Sequence, residues 1–422
     1  MKWIKKSKTA PDETKLRQEC CRLSKEGKNV SDIGKLLNRT RPWVYKWLKR
    51  AKTKDSQWYL DESKEPKNKV SKIEQAVEKD IVDIRKTLTE RDTKQTRYRY
   101  YGAIAIHQEL DKKGYKDKPN LSTINRVIKR HGLIEKEQKA RDTNKQAKVY
   151  YPEIRAMYPG HIHQLDLVTP RYIKGFGKTI SVNRVDVYSG HANLNQYLSK
   201  GADNIVSFII DDGKEYGIPA YLQLDNEASF KGSLYHPRTF GKLTRFCLNF
   251  GIEVIFIPFS EPWRNGYIES FNSRYDERLW QSTNFRDLIH LRQESGLFKG
   301  QHNQYQTYKK EHFSKQKQTS YTKRFFPKEF QFDLETQLPI TKGKIHFVRL
   351  VQENGKINIL NENFFISTKL CFEYVWATIN TKEQKLYIYN QQHKESKKEL
   401  IKTIDYRLRE SAKKQIPISK FC

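Results

Sequence analysis

The sequence is poor in cysteine, and its few cysteines are scattered. The 422-residue chain has five of them, an odd number with no C-x-x-C pair: Cys20, Cys21, Cys247, Cys371 and Cys422. This pattern supports neither a zinc knuckle nor a disulfide framework, and it fits reduced thiols in a cytosol.

Long apolar segments are also missing. No stretch approaches the roughly 20 apolar residues of a membrane span. The N-terminal run MKWIKKSKTAPDE lacks the apolar core of a signal peptide. We therefore expect a cytoplasmic protein without a membrane partner.

Acidic residues are scarce beside basic ones. The chain has 49 Asp and Glu against 80 Lys and Arg, for a formal net charge of +31, and the basic residues run through almost its whole length. A field of this sign favours a polyanionic partner, nucleic acid first and an anionic membrane second. A basic surface that serves solubility alone is the plainer alternative. Because no membrane segment is found, nucleic acid is favoured.

The first 52 residues predict a small helical unit. Gly27 is a plausible helix stop, and Ser31 is a candidate cap for the helix that begins VSDIGKLL. Pro42 opens a basic helix after a tight turn. Two short helices of this kind predict a helix-turn-helix domain at 1–52, with any small helical bundle as the alternative. Its candidate DNA contacts are Arg39, Arg41 and Lys46.

A second unit of this kind follows a polar linker at 53–70. Residues 71–135 carry an amphipathic helix and then LSTINRVIKRHGL, with Ser122 as candidate cap. We interpret this as a second helix-turn-helix domain, followed by a basic connector at 136–157. Its outward-facing candidate DNA contacts are Arg126, Lys129 and Arg130.

The hydrophobic period changes to that of strands at about residue 158. HIHQLDLV, TISVNRVDVY and GHANLNQYL predict three antiparallel-type strands, and the pattern then alternates helix, strand, helix, strand, helix. Residues 158–282 therefore predict a layered α/β domain. A basic, partly helical arm at 283–338, a small β-barrel at 339–392 and a charged, flexible tail at 393–422 complete a multidomain α+β protein.

Three acidic residues occupy positions from which they can converge. Asp166 lies within the first apolar strand, Asp225 ends the strand PAYLQLD, and Glu269 lies early in the helix WRNGYIESFNSRYDERLW. Carboxylates held close together repel one another unless a cation lies between them. Divalent ions such as Mg²⁺ prefer carboxylates and phosphate oxygens, and two such ions can clamp an in-line attack on a phosphodiester. A single aspartate of this kind is more often a cap or an ion-pair partner.

The stretch from LDNEASF to EPWRNGYIESFN resembles the core of DDE-type transposases and retroviral integrases. It is most similar to bacterial insertion-sequence transposases with an integrase catalytic core, whose motifs are a DN pair and a (S/E)PxxNGxxE run. Asp225 with Asn226, and Glu269 in its run, match these motifs, and Asp166 matches the first aspartate. The resemblance covers about 155–282 strongly and the flanking regions more loosely.

This resemblance implies a ribonuclease H-like core in which Asp166, Asp225 and Glu269 hold two Mg²⁺ or Mn²⁺ ions. It also implies hydrolysis at a transposon end, followed by attack of the freed 3′-hydroxyl on target DNA. The helix-turn-helix domains would bind the end repeats of double-stranded DNA, and a homo-oligomer would join two ends. A nucleoid-associated bacterial protein is expected. Further candidate DNA contacts on the Glu269 helix are Arg264 and Arg274.

Two departures from the family pattern leave alternatives open. The spacer between Asp225 and Glu269 is long, at 43 residues, and Glu227 stands where the family usually has glycine after the DN pair. A catalytically inactive DNA-binding regulator, which only Glu227 supports, is one rival hypothesis, and a ribonuclease H-like nuclease acting on RNA or branched DNA is the other. On the Glu269 helix we expect Trp263 to lie on the core face, and we expect Asp212 to lie at a solvated helix end.

Overall fold

The computed structural model describes residues 11–53, 56–61, 73–91, 93, 96–134, 149–231, 238–314 and 321–422. Most of the predicted linker and much of the predicted connector lie outside these residues. The chain divides into two compact units, Met1–Ile73 and Glu74–Cys422. Across the described ranges, no helix is long and apolar enough to pass through a lipid bilayer.

The first unit is a three-helix module. Its helices are α1 (Pro11–Lys25), α2 (Val30–Leu36) and α3 (Arg41–Ala51). The side chain of Asn29 caps α2 by accepting a hydrogen bond from the backbone N–H of Asp32 at 3.0 Å, so the cap precedes the predicted Ser31. Gly34 lies against the turn, because an added Cβ would stand 2.9 Å from the carbonyl oxygen of Arg39. Its buried apolar residues are Cys20, Leu23, Ile33, Val44 and Trp47.

The second unit begins with three more helices, α4 (Gln75–Glu90), α5 (Ala103–Lys112) and α6 (Leu121–Arg130). Asn120 caps α6 by accepting a hydrogen bond from the N–H of Thr123 at 2.9 Å, so the predicted cap at Ser122 is two residues late. The buried face of α6 carries Ile124, Val127 and Ile128, as its periodicity predicts.

A nine-stranded mixed sheet forms the centre of this unit. Its strands are β1 (Ile162–Ile173), β2 (Gly177–Asp186), β3 (Ala192–Tyr197), β4 (Tyr221–Leu224), β5 (Glu253–Phe256), β6 (Lys344–Leu350), β9 (Tyr374–Asn380), β10 (Lys385–Asn390) and β11 (Glu399–Asp405), while β7 (Lys356–Ile359) and β8 (Glu362–Phe365) pair separately. The order is β11-β10-β9-β6-β5-β4-β1-β2-β3. Strands β1, β4, β5 and β6 run parallel, and the outer pairs are antiparallel.

Helices cover the sheet. They are α7 (Ala202–Glu215), α8 (Ala228–Lys231), α9 (Lys242–Asn249), α10 (Gly266–Tyr275) and α11 (Leu288–Phe313), and a short 3₁₀ turn (Pro262–Asn265) leads into α10 while a π-helical turn (Asp276–Trp280) follows it. Strands β1 to β5 with α7, α9 and α10 have the order of elements predicted for the α/β core. The six residues 232–237, in the spacer between Asp225 and Glu269, lie outside the described part of the chain.

The C-terminal strands do not form the predicted small barrel. Strand β6 instead pairs with β5, with Val254 opposite Ile345, and the rings of Phe256 and Phe347 stack at 5.2 Å. These alternating apolar strands extend the core sheet from its edge strand β5, where their apolar side chains are buried. The predicted tail is also ordered in part, because β11 pairs with β10.

The predicted basic arm contains the 26-residue helix α11. Its buried residues include Phe298 and Tyr308, and the hydroxyl of Tyr308 lies 2.8 Å from Nδ1 of His107 on α5. The ring of Tyr98 meets Phe298 edge-on at 6.0 Å. The second helical region is therefore packed against the core.

Candidate active site

Parallel strand pairing brings the two aspartates to one edge of the sheet. Gln164 of β1 lies opposite Gln223 of β4; Asp166 follows two residues later on β1, and Asp225 follows two residues later, directly past the end of β4. Side chains two residues apart on a strand point to the same face. Glu269 lies in the first turn of α10, which packs against β1 and β2. The structure thus brings together the three acids that the sequence selected.

The pKa values of the acids are shifted by burial and by one another's negative charge. Burial raises the pKa of Asp166 to about 7, and the carboxylates of Asp225, Glu269 and Glu227 contribute to the rise. Burial and the charge of Asp225 also raise the pKa of Glu269. Crowded anions of this kind are a recurrent property of functional sites.

The donor chemistry of this cluster suits a hard divalent cation, because all three groups are carboxylates. Within the described residues, however, no group of three or more His, Cys, Asp or Glu side chains forms a ready metal cage. The acids must draw together if they are to share a cation.

A relay of amides fixes the orientation of Asp166. Its Oδ2 accepts a hydrogen bond from Nδ2 of Asn272 at 2.7 Å, and Oδ1 of Asn272 accepts one from Nδ2 of Asn183 at 2.8 Å. Oδ1 of Asn183 in turn accepts from Oγ of Ser181 at 2.6 Å. Asn183 is fully buried. The carboxylate is therefore oriented by neutral hydrogen-bond donors, which do not neutralise its negative charge.

Two glutamines position the helix that carries Glu269. Oε1 of Gln164 accepts hydrogen bonds from the backbone N–H groups of Tyr267 and Ile268, both at 3.1 Å. Nε2 of Gln223 donates to the carbonyl oxygen of Arg264 at 3.1 Å and to Oδ1 of Asn265 at 2.8 Å. Strands β1 and β4 thereby fix the start of α10 through two glutamines, each of which lies two residues before an aspartate of the site.

Glu227 does not need the conformational freedom of the glycine it replaces, because its φ is negative. Its backbone N–H donates to Oδ1 of Asp225 at 3.0 Å. Its carboxylate is 2.7 Å from Nζ of Lys200, an ion pair that offsets part of the added charge. The loop after Asp225 is thus regular despite the substitution.

Arg349 of β6 ties the C-terminal strands to the same loop. Its Nη2 donates to Oδ1 of Asn226 at 2.8 Å, and Nδ2 of Asn226 donates to the carbonyl oxygen of Ile257 at 2.6 Å. The guanidinium also donates to the carbonyl oxygens of Phe256, Ile257, Val348 and Asn358. Burial lowers its pKa to about 9.

Arg349 has no sequence signal, because it lies more than 120 residues from Asn226 and in a strand predicted to belong to another domain. The positions of Gln164 and Gln223 in the sequence could have identified them as residues of the site. Each stands two residues before a predicted ligand, on the strand face that the ligand shares.

The candidate DNA contacts differ in accessibility. Arg41, Lys46, Arg126, Lys129 and Arg130 are exposed, while Arg39 is half-buried and pairs with Glu13.

The two candidates on the Glu269 helix have internal partners. Nε of Arg264 donates to Glu261 at 2.9 Å, and its guanidinium lies 3.9 Å from the ring of Tyr151. The guanidinium of Arg274 lies 5.3 Å from the ring of Tyr100.

Two expectations for side-chain burial are wrong. Trp263 lies in the 3₁₀ turn before α10 and is 63% exposed, because the turn directs its ring away from the core. Asp212 is buried, because it faces the sheet, where both its oxygens accept from Nε of Arg184 at 3.0 and 2.9 Å.

Residues 12–57 match the family model of a homeodomain-like domain, which confirms the predicted N-terminal helix-turn-helix domain. Comparison of the sequence with proteins of curated function gives no match.

Solved structures that resemble the fold include a chain of the simian T-cell lymphotropic virus intasome in complex with a PP2A regulatory subunit. It has 13% identity and a TM-score of 0.30, with 72% of this chain and 93% of that chain covered. The catalytic core domain of HTLV-2 integrase in complex with magnesium has 18% identity and a TM-score of 0.25, with 38% of this chain and 90% of that chain covered. The catalytic core domain of BIV integrase has 17% identity and a TM-score of 0.25, with 33% of this chain and 81% of that chain covered. The likeness is partial and the identity low.

Proposed function

We propose that this protein is a DNA transposase. It binds the ends of a mobile DNA segment, cleaves a phosphodiester bond there and transfers the 3′-hydroxyl end into target DNA. We assign the reaction to the bacterial cytoplasm, on nucleoid DNA.

The observation that carries this proposal is the convergence of Asp166, Asp225 and Glu269. Asp166 lies on β1, Asp225 directly follows the parallel strand β4, and Glu269 lies on α10, while burial and then the charges of the other two acids raise the pKa of Asp166. Buried carboxylates with pKa values raised by one another are concentrated at functional sites.

Asp166, Asp225 and Glu269 would hold two Mg²⁺ or Mn²⁺ ions, which supply a lowered pKa for the attacking hydroxyl and charge compensation on the phosphate. Asn272 keeps the Asp166 carboxylate turned toward its partners. Gln164 and Gln223 keep Glu269 at the same edge of the sheet. No Ser or Tyr nucleophile is part of this chemistry, because a hydroxyl from water or from DNA attacks directly.

The homeodomain-like domain supplies sequence-specific binding to double-stranded DNA, since modules of this class insert a helix into the major groove. Exposed Arg41 and Lys46 on α3 are suited to contacts with DNA. Exposed Arg126 and Lys129 on α6 are suited to a second contact. Joining two DNA ends in one complex calls for a homodimer or a larger assembly.

The test begins with selection of bound duplexes from a random pool, which defines the DNA sequence that the protein recognises. Cleavage and strand transfer are then followed on that sequence with Mg²⁺. We expect activity in the wild-type protein and at least a thousandfold loss, on the order of 4 kcal/mol of activation free energy, in Asp225→Asn or Glu269→Gln. Asp203→Asn is the matched control, because Asp203 is a half-exposed carboxylate of α7 paired with Lys242.

Each rival function gives a different result. Sequence-specific binding without Mg²⁺-dependent chemistry in the wild-type protein would show a regulator. Equal cleavage of unrelated duplexes, without joining to target DNA, would show a nuclease. Normal activity in Asp225→Asn would refute the carboxylate site itself.

A further inference from the structure

The loop between β5 and α10 is held by side chains of the C-terminal strands. It spans residues 257–265 and leads from the core sheet into the helix that carries Glu269. Strand β6 lies beside β5, and β9 lies beside β6. Arg349 of β6 and Tyr374 of β9 both reach the loop.

Arg349 holds the first part of the loop. Its Nη1 donates a hydrogen bond to the carbonyl oxygen of Ile257 at 2.7 Å, and its guanidinium lies 4.6 Å from the ring centroid of Phe259. The same guanidinium donates to Asn226, which directly follows Asp225. One buried side chain therefore connects this loop to the turn after Asp225.

Tyr374 holds the second part of the loop. Its hydroxyl donates a hydrogen bond to Oε1 of Glu261 at 2.7 Å, and Oε2 of Glu261 accepts one from Nε of Arg264 at 2.9 Å. The guanidinium of Arg264 in turn lies over the rings of Tyr151 and Tyr374, at 3.9 and 5.0 Å from their centroids. Both oxygens of Glu261 thus belong to a closed network that joins the loop to β9.

The residue between these two attachments has an unfavourable backbone conformation. Ser260 has a φ of +57°, in the left-handed region that residues other than glycine seldom adopt. Such a conformation persists where the surrounding structure holds it, and it is often found at functional sites. Here the neighbour on one side, Phe259, contacts Arg349, and the neighbour on the other side, Glu261, is bonded to Tyr374.

We infer that Arg349 and Tyr374 are positioning residues for the carboxylate site, an inference that rests on the proposed function. By holding the loop on both sides of Ser260, they keep it in its left-handed conformation and fix the direction in which the chain enters α10. Glu269 lies in the first turn of that helix, so the position of its carboxylate depends on the loop. A displacement of about 1 Å at a reacting group can cost about 100-fold in rate.

The first test measures backbone hydrogen exchange of the full-length, metal-free protein by mass spectrometry. Tyr374→Phe removes the hydroxyl but keeps the ring, which packs against Tyr151 at 5.3 Å. Exchange in peptides from 257–265 should become about fivefold faster, while the urea midpoint of global unfolding changes only slightly. Tyr387→Phe is the matched control, because the hydroxyl of Tyr387 on β10 also donates to a carboxylate, that of Glu383 in the turn between β9 and β10.

The second test follows Mg²⁺-dependent cleavage of the DNA sequence that the protein selects. Tyr374→Phe should lower kcat by about tenfold and leave KM nearly unchanged, since Gln223 still holds the end of the loop. Adding Ser260→Gly to Tyr374→Phe should restore most of the lost rate, because glycine adopts the left-handed conformation without strain. A general loss of stability would not be reversed by a glycine.

The outcomes separate this inference from the proposed function. Unchanged loop exchange in Tyr374→Phe, or a rate loss that Ser260→Gly does not reverse, would overturn the inference even if the wild-type protein cleaves DNA normally. Faster loop exchange in Tyr374→Phe, when the wild-type protein does not cleave DNA, would support the attachment of the loop to β9 and refute the transposase proposal.

Discussion

Replacing Asp166 by asparagine should stabilise the metal-free protein while it removes activity. The side chain is held among like charges, and Asp166→Asn removes one of them at nearly constant shape. Both oxygens of the carboxylate accept hydrogen bonds, Oδ1 from the backbone N–H of Leu167 at 2.9 Å and Oδ2 from Nδ2 of Asn272 at 2.7 Å, so the single amide oxygen of asparagine can keep only one of them. The substitution therefore removes one charge and one accepted hydrogen bond.

The magnitude follows from the pKa. The pKa of Asp166 rises from 3.8 to about 7, and each unit corresponds to about 1.36 kcal/mol, which sets a ceiling of roughly 4 kcal/mol. Burial is the largest cause of this rise and the neighbouring carboxylates add to it, and a neutral amide escapes both penalties. Because the amide gives up one accepted hydrogen bond at a cost of about 2 kcal/mol, we expect a net gain of about 2 kcal/mol in the free energy of unfolding at pH 8.

The pH dependence has a definite sign. A carboxyl whose pKa is higher in the folded state keeps its proton there when the unfolded chain has already lost it. Stability of the metal-free wild-type protein should therefore fall as pH rises from about 4 to about 7. The Asp166→Asn variant should lack this part of the fall, and the two proteins should converge near pH 4.

Urea unfolding with EDTA, at pH 4 to 8, provides the measurement, and a second series adds Mg²⁺. The cation should stabilise the wild-type protein and leave Asp166→Asn nearly unchanged. Asp203→Asn is the control and should shift stability by about 1 kcal/mol or less, since Asp203 forms a surface ion pair. A less stable Asp166→Asn protein at pH 8 without metal would refute the argument that burial and neighbouring charges destabilise the ionised Asp166.

Three further predictions concern the surroundings of the site. Asn272→Ala removes a donor to Asp166 and should lower the apparent Mg²⁺ affinity or the cleavage rate by about 10–100-fold, measured by metal titration of cleavage. Asp212→Asn leaves the buried Arg184 guanidinium without its counter-charge and should lower the free energy of unfolding in urea by about 3–5 kcal/mol at pH 7. Because that guanidinium lowers the pKa of Asp212, the stabilisation by the ion pair should persist at neutral pH and disappear only in strong acid. Arg349→Lys should lose about 2–4 kcal/mol of stability, because one ammonium cannot replace a guanidinium that serves several separate oxygens, and an unchanged unfolding midpoint would contradict this.

The elements of the α/β core were predictable because each has its own signature. The alternation in TISVNRVDVY marks β2, and the helical period of ADNIVSFIIDD marks α7. The three acids were identified by position and motif; the pairing of β1 with β4 places Asp166 near Asp225, and the packing of α10 on β1 and β2 adds Glu269. Cap positions were less predictable, because Asn29 and Asn120 compete with nearby serines of similar capping strength.

The pairing of the C-terminal strands was not predictable from local pattern. An apolar alternating segment such as KIHFVRL requires an apolar face and a hydrogen-bonding neighbour, and it does not specify which strand supplies them. A small barrel and an extended sheet satisfy the same pattern. The contact between Arg349 and Asn226 depends on that choice, so it too was beyond the reach of sequence.

The junction between β5 and β6 also limits how this protein can be dissected. A fragment that stops at residue 282 would retain the three acids but expose the backbone of β5 along one side, together with the apolar ring of Phe256. Bare strand edges of this kind recruit other chains. The excised fragment should therefore precipitate, and chimaeras that graft a foreign C-terminal half onto residues 158–282 should fail unless the graft brings its own partner strand for β5.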